Sequence, residues 1–196
     1  MSVPLFSANW QGENPLLSEW QRTRGDTMGQ LQQRRLMAAM FSWAIPNEPA
    51  LKLIASFSPI IEIGAGTGYW AHMLMERGAD IIAYDHEPPS THENHFHSKR
   101  DCFFPVQQGS DVSVSDHADR TLFLCWPPYS DPMAANCLRR YKGARLVYVG
   151  EGDGGCCGDD DFWTEIEKGW KEVQSVAIPQ WYGLHDALTV YERDMP

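Results

Sequence analysis

From residue 60 onward the chain alternates between short apolar runs and amphipathic stretches. The runs are too short for helices and are bounded by Gly, Pro or Asp, so they read as strands. They fall at Ile60 to Ile63, Ala79 to Tyr84, Phe103 to Gln107, Thr121 to Cys125, Ala144 to Gly150, Glu172 to Pro179 and Ala187 to Arg193. Helical spacing fills several gaps between them. Tyr69 to Arg77 carries Trp70, Met73 and Leu74 on one face, with Gly78 at the C-terminal cap position. Pro132 to Tyr141 and Phe162 to Trp170 read as two more helices, the second opened by acids. This alternation predicts an α/β fold built on a Rossmann-like, doubly wound sheet. Pro105 argues for an edge position for the third strand.

The first 59 residues follow another pattern. Asn14-Pro15 offers a cap followed by proline at the first helical position. Met28 to Trp43 carries apolar residues at 28, 31, 36, 37, 40 and 41, and Asn47 to Phe57 buries Leu51, Leu53, Ile54 and Phe57, with Pro46 and Pro59 as punctuation. The expectation is an N-terminal helical extension over 1–59 packed on a core at 60–196, the two forming one globular unit.

The strand at 60–63 runs directly into a glycine loop, I-I-E-I-G-A-G-T-G-Y. A strand, a glycine loop and a helix N-terminus together let backbone approach a bound cofactor closely. The dinucleotide pattern G-x-G-x-x-G needs a third glycine where Tyr69 stands, and no G-K-[ST] is present for a phosphate-binding loop. What remains is E-x-G-x-G-x-G, with Glu62, Gly64, Ala65, Gly66 and Gly68. Asp85 ends the second strand about 20 residues further on, where a carboxylate can accept two hydrogen bonds from a ribose diol.

These residues resemble the first motif of the class I S-adenosylmethionine-dependent methyltransferases, and the resemblance extends in order from Ile60 to Asp194. It implies a seven-stranded sheet whose last strand is inserted antiparallel. It implies that Gly64, Ala65, Gly66 and Gly68, with Glu62 behind them, hold the methionine part of S-adenosylmethionine. Asp85 would hold the ribose, and His86 and Asp111, with Ser110, the adenine. After the fourth strand, Trp126-Pro127-Pro128-Tyr129 resembles the N-P-P-Y motif of amino-methyltransferases. There Trp126 replaces the amide that would accept from an amine, while the Pro127 carbonyl and Tyr129 keep their places. The catalytic candidates are therefore Trp126, Pro127 and Tyr129. Glu151, Trp181 and His185, on loops after the fifth strand and between the last two, are substrate candidates, with Glu151 or His185 able to take a proton.

Composition narrows the partners. The 196 residues are 43% hydrophobic and carry a net charge of −10, which suits one core and repels a polyanion. A small-molecule acceptor is expected, and nucleic acid and membrane partners are not. No apolar run approaches the roughly 20 residues of a membrane span, and the start M-S-V-P-L-F-S-A-N-W lacks an export signal. Five cysteines without zinc spacing fit reduced thiols in a cytoplasmic protein. The four histidines between His86 and His97 read as a polar loop with no metal site, because H-E-N-H misses the H-E-x-x-H spacing. Two other readings stay open: a non-catalytic cofactor-binding protein, suggested by Trp126, and a nicotinamide oxidoreductase on a similar sheet.

Overall fold

A computed structural model describes residues 13–194. The reading of the first ten residues, and the start of the N-terminal extension, lie outside that span. Helix α1 is Pro15–Arg22, α2 Thr27–Met40 and α3 Glu48–Ala55. Strand β1 (Ile60–Ile63) leads through the glycine loop to α4 (Tyr69–Met75), β2 (Ile81–Asp85) and β3 (Val106–Gln108). A 3-10 turn at Asp111–Asp116 precedes β4 (Thr121–Cys125), followed by α5 (Met133–Arg140), β5 (Arg145–Gly150), α6 (Asp160–Gly169), β6 (Trp170–Ala177) and β7 (Ala187–Arg193).

The seven strands form one sheet in the order β3-β2-β1-β4-β5-β7-β6. The first five run parallel, and β7 is inserted antiparallel between β5 and β6. β3 is the edge strand that Pro105 predicted, though it begins three residues later than the apolar run. β6 starts at Trp170, two residues early, directly from the end of α6. Apolar side chains alternate between two cores. Ile60, Phe123 and Val147 join Trp70, Leu74 and residues of α1–α3 on one face. Ile61, Leu122 and Leu146 join α5 and α6 on the other. The sheet is therefore doubly wound, and the period-2 alternation in each strand is what assigns each residue to a face.

The N-terminal helices are tied to the sheet's helix layer by polar contacts. Asn14 caps α1 by accepting from Leu17 N (2.9 Å), and its side chain also accepts from Tyr69 Oη (2.9 Å) and donates to Pro46 O (2.8 Å). One boundary differs from the sequence reading in a way that matters. α2 ends at Met40, so Phe41, Ser42 and Trp43 leave the helix and turn across the sheet's end. Thr67 Oγ1 donates to the Phe41 carbonyl and Trp70 Nε1 to Ser42 Oγ, which holds this turn against the glycine loop and α4. Among the described residues, no helix is long and apolar enough to cross a membrane.

Candidate functional site

A cavity of about 770 Å³ opens at the carboxyl ends of β1, β2 and β4. Strand order reverses between β1 and β4, and open α/β sheets form ligand crevices at such a switch point. Gly64, Ala65 and Gly66 form part of its wall. Gly64, Gly66 and Gly68 have φ of +75°, +53° and +72°, the left-handed region where side chains are strained. Four of the loop's N–H groups are satisfied within the protein. Gly64 N and Ala65 N donate to Tyr84 O (2.9 and 3.0 Å), Gly66 N to Asp85 Oδ2 (2.8 Å) and Gly68 N to Ala65 O (2.8 Å). The loop thus presents bare Cα surface to a ligand and does not aim these donors at it. Gly68 lies outside the cavity lining. A Cβ there would meet Phe104 and Val106 at 3.0 Å, so its glycine serves packing. A Cβ on Gly66 would stand 2.5 Å from His97 Nε2. Gly66→Ala is therefore expected to cost about 1–3 kcal/mol, read as a lower urea midpoint; an unchanged midpoint would show that the loop relaxes freely.

Asp85 ends β2 at the cavity wall, 9% exposed. One carboxylate oxygen accepts from Gly66 N; the other accepts from Glu87 N (2.9 Å) and Asn94 Nδ2 (3.3 Å). The same Asn94 accepts from Phe96 N and His97 N through its Oδ1. This arrangement brings His97 over Gly66, where its Nδ1 meets the Ala39 carbonyl (3.2 Å). The carbonyl can only accept, so Nδ1 carries the proton. His86 lies in the wall beside Asp85.

Glu62 is the buried acid of the site. Strand alternation puts it on the face of Ile60, and it is 2% exposed, with Oε2 unpartnered among the described residues. Burial, with the Asp85 charge behind it, pushes its pKa up to about 8. Ser110 and Asp111 also border the cavity. Asp111 Oδ2 accepts from Arg140 Nε at 2.6 Å, so its carboxylate already has a charged partner.

Trp126 follows β4 with φ +52° and faces the cavity. Its Nε1 donates to Asp186 Oδ1 (2.8 Å), and its ring stacks on Trp43 at 4.8 Å and 13°. Asp186 is fully buried, and burial pushes it up to about 7 against the opposing Trp126 hydrogen bond. Tyr129 stands at the rim, 68% exposed. Pro128 lines the cavity; Pro127 does not, and its carbonyl accepts from Gly158 N (3.0 Å).

The three substrate candidates fall elsewhere. Glu151 is buried, and its oxygens accept from Cys156 N (3.0 Å) and His185 N (2.9 Å). Burial would raise its pKa, but these N–H donors hold it below the ordinary value. Glu151 therefore fastens the loop after β5 to the β6–β7 connection. Trp181 is buried in the core, and the His185 side chain is 84% exposed; both border a smaller cleft of about 340 Å³. Sequence reasoning missed Phe41, Ser42 and Trp43 as wall residues. The signal was present as aromatics packed too closely for one helical stripe just before Pro46.

No protein-family model matches the chain, and no curated protein matches it. Solved structures with a similar backbone include a TehB-like SAM-dependent methyltransferase from Corynebacterium glutamicum, 19% identical over 87% of this chain and 100% of that one, with a TM-score of 0.48. Magnesium protoporphyrin IX methyltransferase from Synechocystis, with bound SAM, is 10% identical over 91% of both chains, with a TM-score of 0.48. Precorrin-6y C5,15-methyltransferase from Geobacter metallireducens is 12% identical over 80% of this chain and 93% of that one, with a TM-score of 0.46. Likenesses at this distance carry none of those proteins' activities to this chain.

Proposed function

We propose that the protein binds S-adenosylmethionine in the cavity at the β1/β4 switch point and transfers its methyl group to a small-molecule acceptor. The observation that carries this reading is Glu62: a buried carboxyl with an unpartnered oxygen, at a cavity wall beside a glycine loop that leaves room for backbone approach. An unpaired buried acid costs free energy that a cationic ligand offsets. S-adenosylmethionine carries an ammonium and a sulfonium. Asp85, at the end of the adjacent strand, keeps one of its roughly four acceptor sites for a ribose hydroxyl, and His86 and Ser110 border the space for an adenine. At about 770 Å³ the cavity lies within the roughly 300–1,000 Å³ usual for ligand sites.

The chemistry asked of the protein is alignment. An acceptor held in line with the sulfonium methyl group reacts by displacement, and preorganisation supplies most of the acceleration. Trp126 and Tyr129 offer ring faces to the sulfonium as it approaches. A calorimetric titration with S-adenosylmethionine, S-adenosylhomocysteine and NAD tests the reading. Selective binding of the two adenosyl compounds is expected. Preference for NAD would support the oxidoreductase reading and remove this one. Tight S-adenosylmethionine binding without S-adenosylhomocysteine formation on any acceptor would favour the non-catalytic reading, which the fixed indole of Trp126 motivates.

A further inference from the structure

We propose that the methyl acceptor is a primary amine on an arylalkyl chain, its ring laid on the Trp126 wall and its amino group held by Asp131 and Asn136 at the start of α5. The proposal rests on the S-adenosylmethionine reading above and adds the acceptor class and two acceptor-binding residues.

The first observation is where α5 begins. Asp131, Pro132, Met133 and Asn136 all line the cavity, and helical spacing puts Pro132, Met133 and Asn136 on one face. The intervening Ala134 and Ala135, with Cys137 and Leu138, are buried in the core on the other side. A Cβ on Gly64 would stand 3.2 Å from Met133 Cε. The start of α5 therefore lies against the glycine loop, beside the space proposed for the cofactor.

The second is the polar atoms that this turn leaves over. Asp131 Oδ1 accepts from Met133 N (2.9 Å), and Oδ2 has no partner among the described residues. The Asn136 carboxamide has none either; only its backbone N–H is engaged, donating to the Pro132 carbonyl (2.9 Å). A carboxylate and a carboxamide oxygen can accept two N–H groups of one ammonium, and the carboxylate supplies the opposite charge. The other lining acids are placed differently. Asp85 and Glu87 belong to β2 and the segment after it, Asp111 pairs with Arg140, and Glu62 is assigned to the cofactor's cations.

The third is the wall beside them. Trp126 gives its only polar group to Asp186 and lies parallel to Trp43, so it presents flat π surface. Pro128 and Tyr129 continue that wall toward Asp131. An aromatic ring packs on such a surface, and a cation beside it meets ring faces.

The step balances with one proton lost to water. The bound ammonium gives a proton to Asp131 Oδ2, and this exposed side chain passes it to water. The freed nitrogen lone pair forms the N–C bond to the methyl carbon as the C–S bond breaks. The released pair stays on sulfur, which becomes the neutral thioether of S-adenosylhomocysteine. The product leaves as the N-methylammonium ion.

The test incubates the full chain with S-adenosylmethionine and 2-phenylethylamine or tryptamine, beside 2-phenylethanol, 2-phenylethanethiol and 3-phenylpropionic acid as counterparts of like shape. Methylated product and S-adenosylhomocysteine are measured by mass spectrometry. At least one amine should be methylated about tenfold faster than any counterpart. Its rate should climb from about pH 7 to about pH 9, because proton loss precedes attack. Asp131→Asn keeps an oxygen for Met133 N and removes only the charge, and it should raise the amine KM about tenfold. Asn136→Ala should raise it about fivefold. Both should leave S-adenosylhomocysteine affinity unchanged. Cys156→Ser, which alters another lining group, should leave the rate unchanged. Faster methylation of a counterpart, a rate flat with pH, an unchanged amine KM in Asp131→Asn, a rate lost in Cys156→Ser, or no methylation of either amine by a chain that binds S-adenosylhomocysteine would overturn the proposal. Weaker S-adenosylhomocysteine binding by Asp131→Asn would give that carboxylate to the cofactor and overturn it too. A chain that binds neither adenosyl compound would overturn the reading beneath it as well.

Discussion

Asp85→Ala is expected to lower affinity for S-adenosylhomocysteine at least about 100-fold, and to lower the unfolding free energy by about 3 kcal/mol. Asp85 holds the glycine loop, and the proposed function gives it the ribose as well. Its carboxylate takes three donors, from Gly66 N, Glu87 N and Asn94 Nδ2, and so fixes the glycine loop to the end of β2 and to the segment that carries His97. Hydrogen bonds to a charged group contribute about 1.5–3 kcal/mol each, and removing the acceptor leaves a buried Gly66 N–H without a partner. In the proposed complex the remaining lone pair takes a ribose hydroxyl, so affinity should fall beyond what loop disorder explains. Asp85→Asn separates the two tasks. An amide nitrogen turned toward Gly66 N meets donor with donor, whereas an amide turned the other way keeps that bond and loses those from Glu87 N and Asn94 Nδ2. Stability should fall between wild type and Asp85→Ala. Urea unfolding and calorimetry read the two effects. Loss of stability with affinity kept within threefold would reduce Asp85 to a tether of the loop and remove the ribose from it.

Glu62→Gln is expected to remove about half of the decline in stability between pH 4.5 and 8, and nearly all of it above pH 7. Glu62 titrates near 4.5 when unfolded and is pushed up to about 8 in the fold by burial. Between those values the folded state binds the extra proton. Stability from this group is therefore complete below pH 4.5, declines as pH rises, and is gone above about pH 8. The swing is on the order of 3–5 kcal/mol. Asp186, raised to about 7, adds a slope of the same sign from about 3.8 to 7, which Glu62→Gln leaves in place. The variant should match wild type near pH 5 and exceed it near pH 8. A wild type with no such decline would show that Glu62 is ionised in the fold. Binding supplies an independent readout. The ammonium and sulfonium of S-adenosylmethionine favour the ionised carboxyl, so wild type should release close to one proton per ligand near pH 7. That release appears as a buffer-dependent binding enthalpy. Glu62→Gln should release none. Equal release from both would place the cation elsewhere in the cavity.

Much of this architecture is written in local patterns. Apolar alternation marked the strands because each residue of a strand faces one of two cores, as Ile60 and Ile61 do. The glycine loop was legible because left-handed backbone of the kind at Gly64 and Gly66 strongly favours glycine. Asp85 was legible by its distance along the chain from that loop. The antiparallel placement of β7 came from the family resemblance and not from periodicity, and the register with β5 and β6 agrees with it.

What the cavity is made of depended on contacts between residues far apart in sequence. Trp126 and Asp186 meet across 60 positions, because antiparallel β7 begins beside the end of β5 and the chain just before it reaches the end of β4. No local pattern encodes that approach. Glu151 and His185 had the chemistry of a substrate site, yet the same return of the chain joins them to each other outside the cavity. The N–H groups of the glycine loop looked available until Tyr84 O and the Asp85 carboxylate came within reach. Phe41 to Trp43 continued an apolar pattern, but α2 stopped at Met40 and Trp43 came to lie on Trp126. Sequence by itself determined the strands, the glycine loop and the acid beside it, because steric and solvent preferences act over a few residues. Only the tertiary structure decided which side chains face the ligand space and which satisfy one another, because a hydrogen bond depends on where strand ends meet.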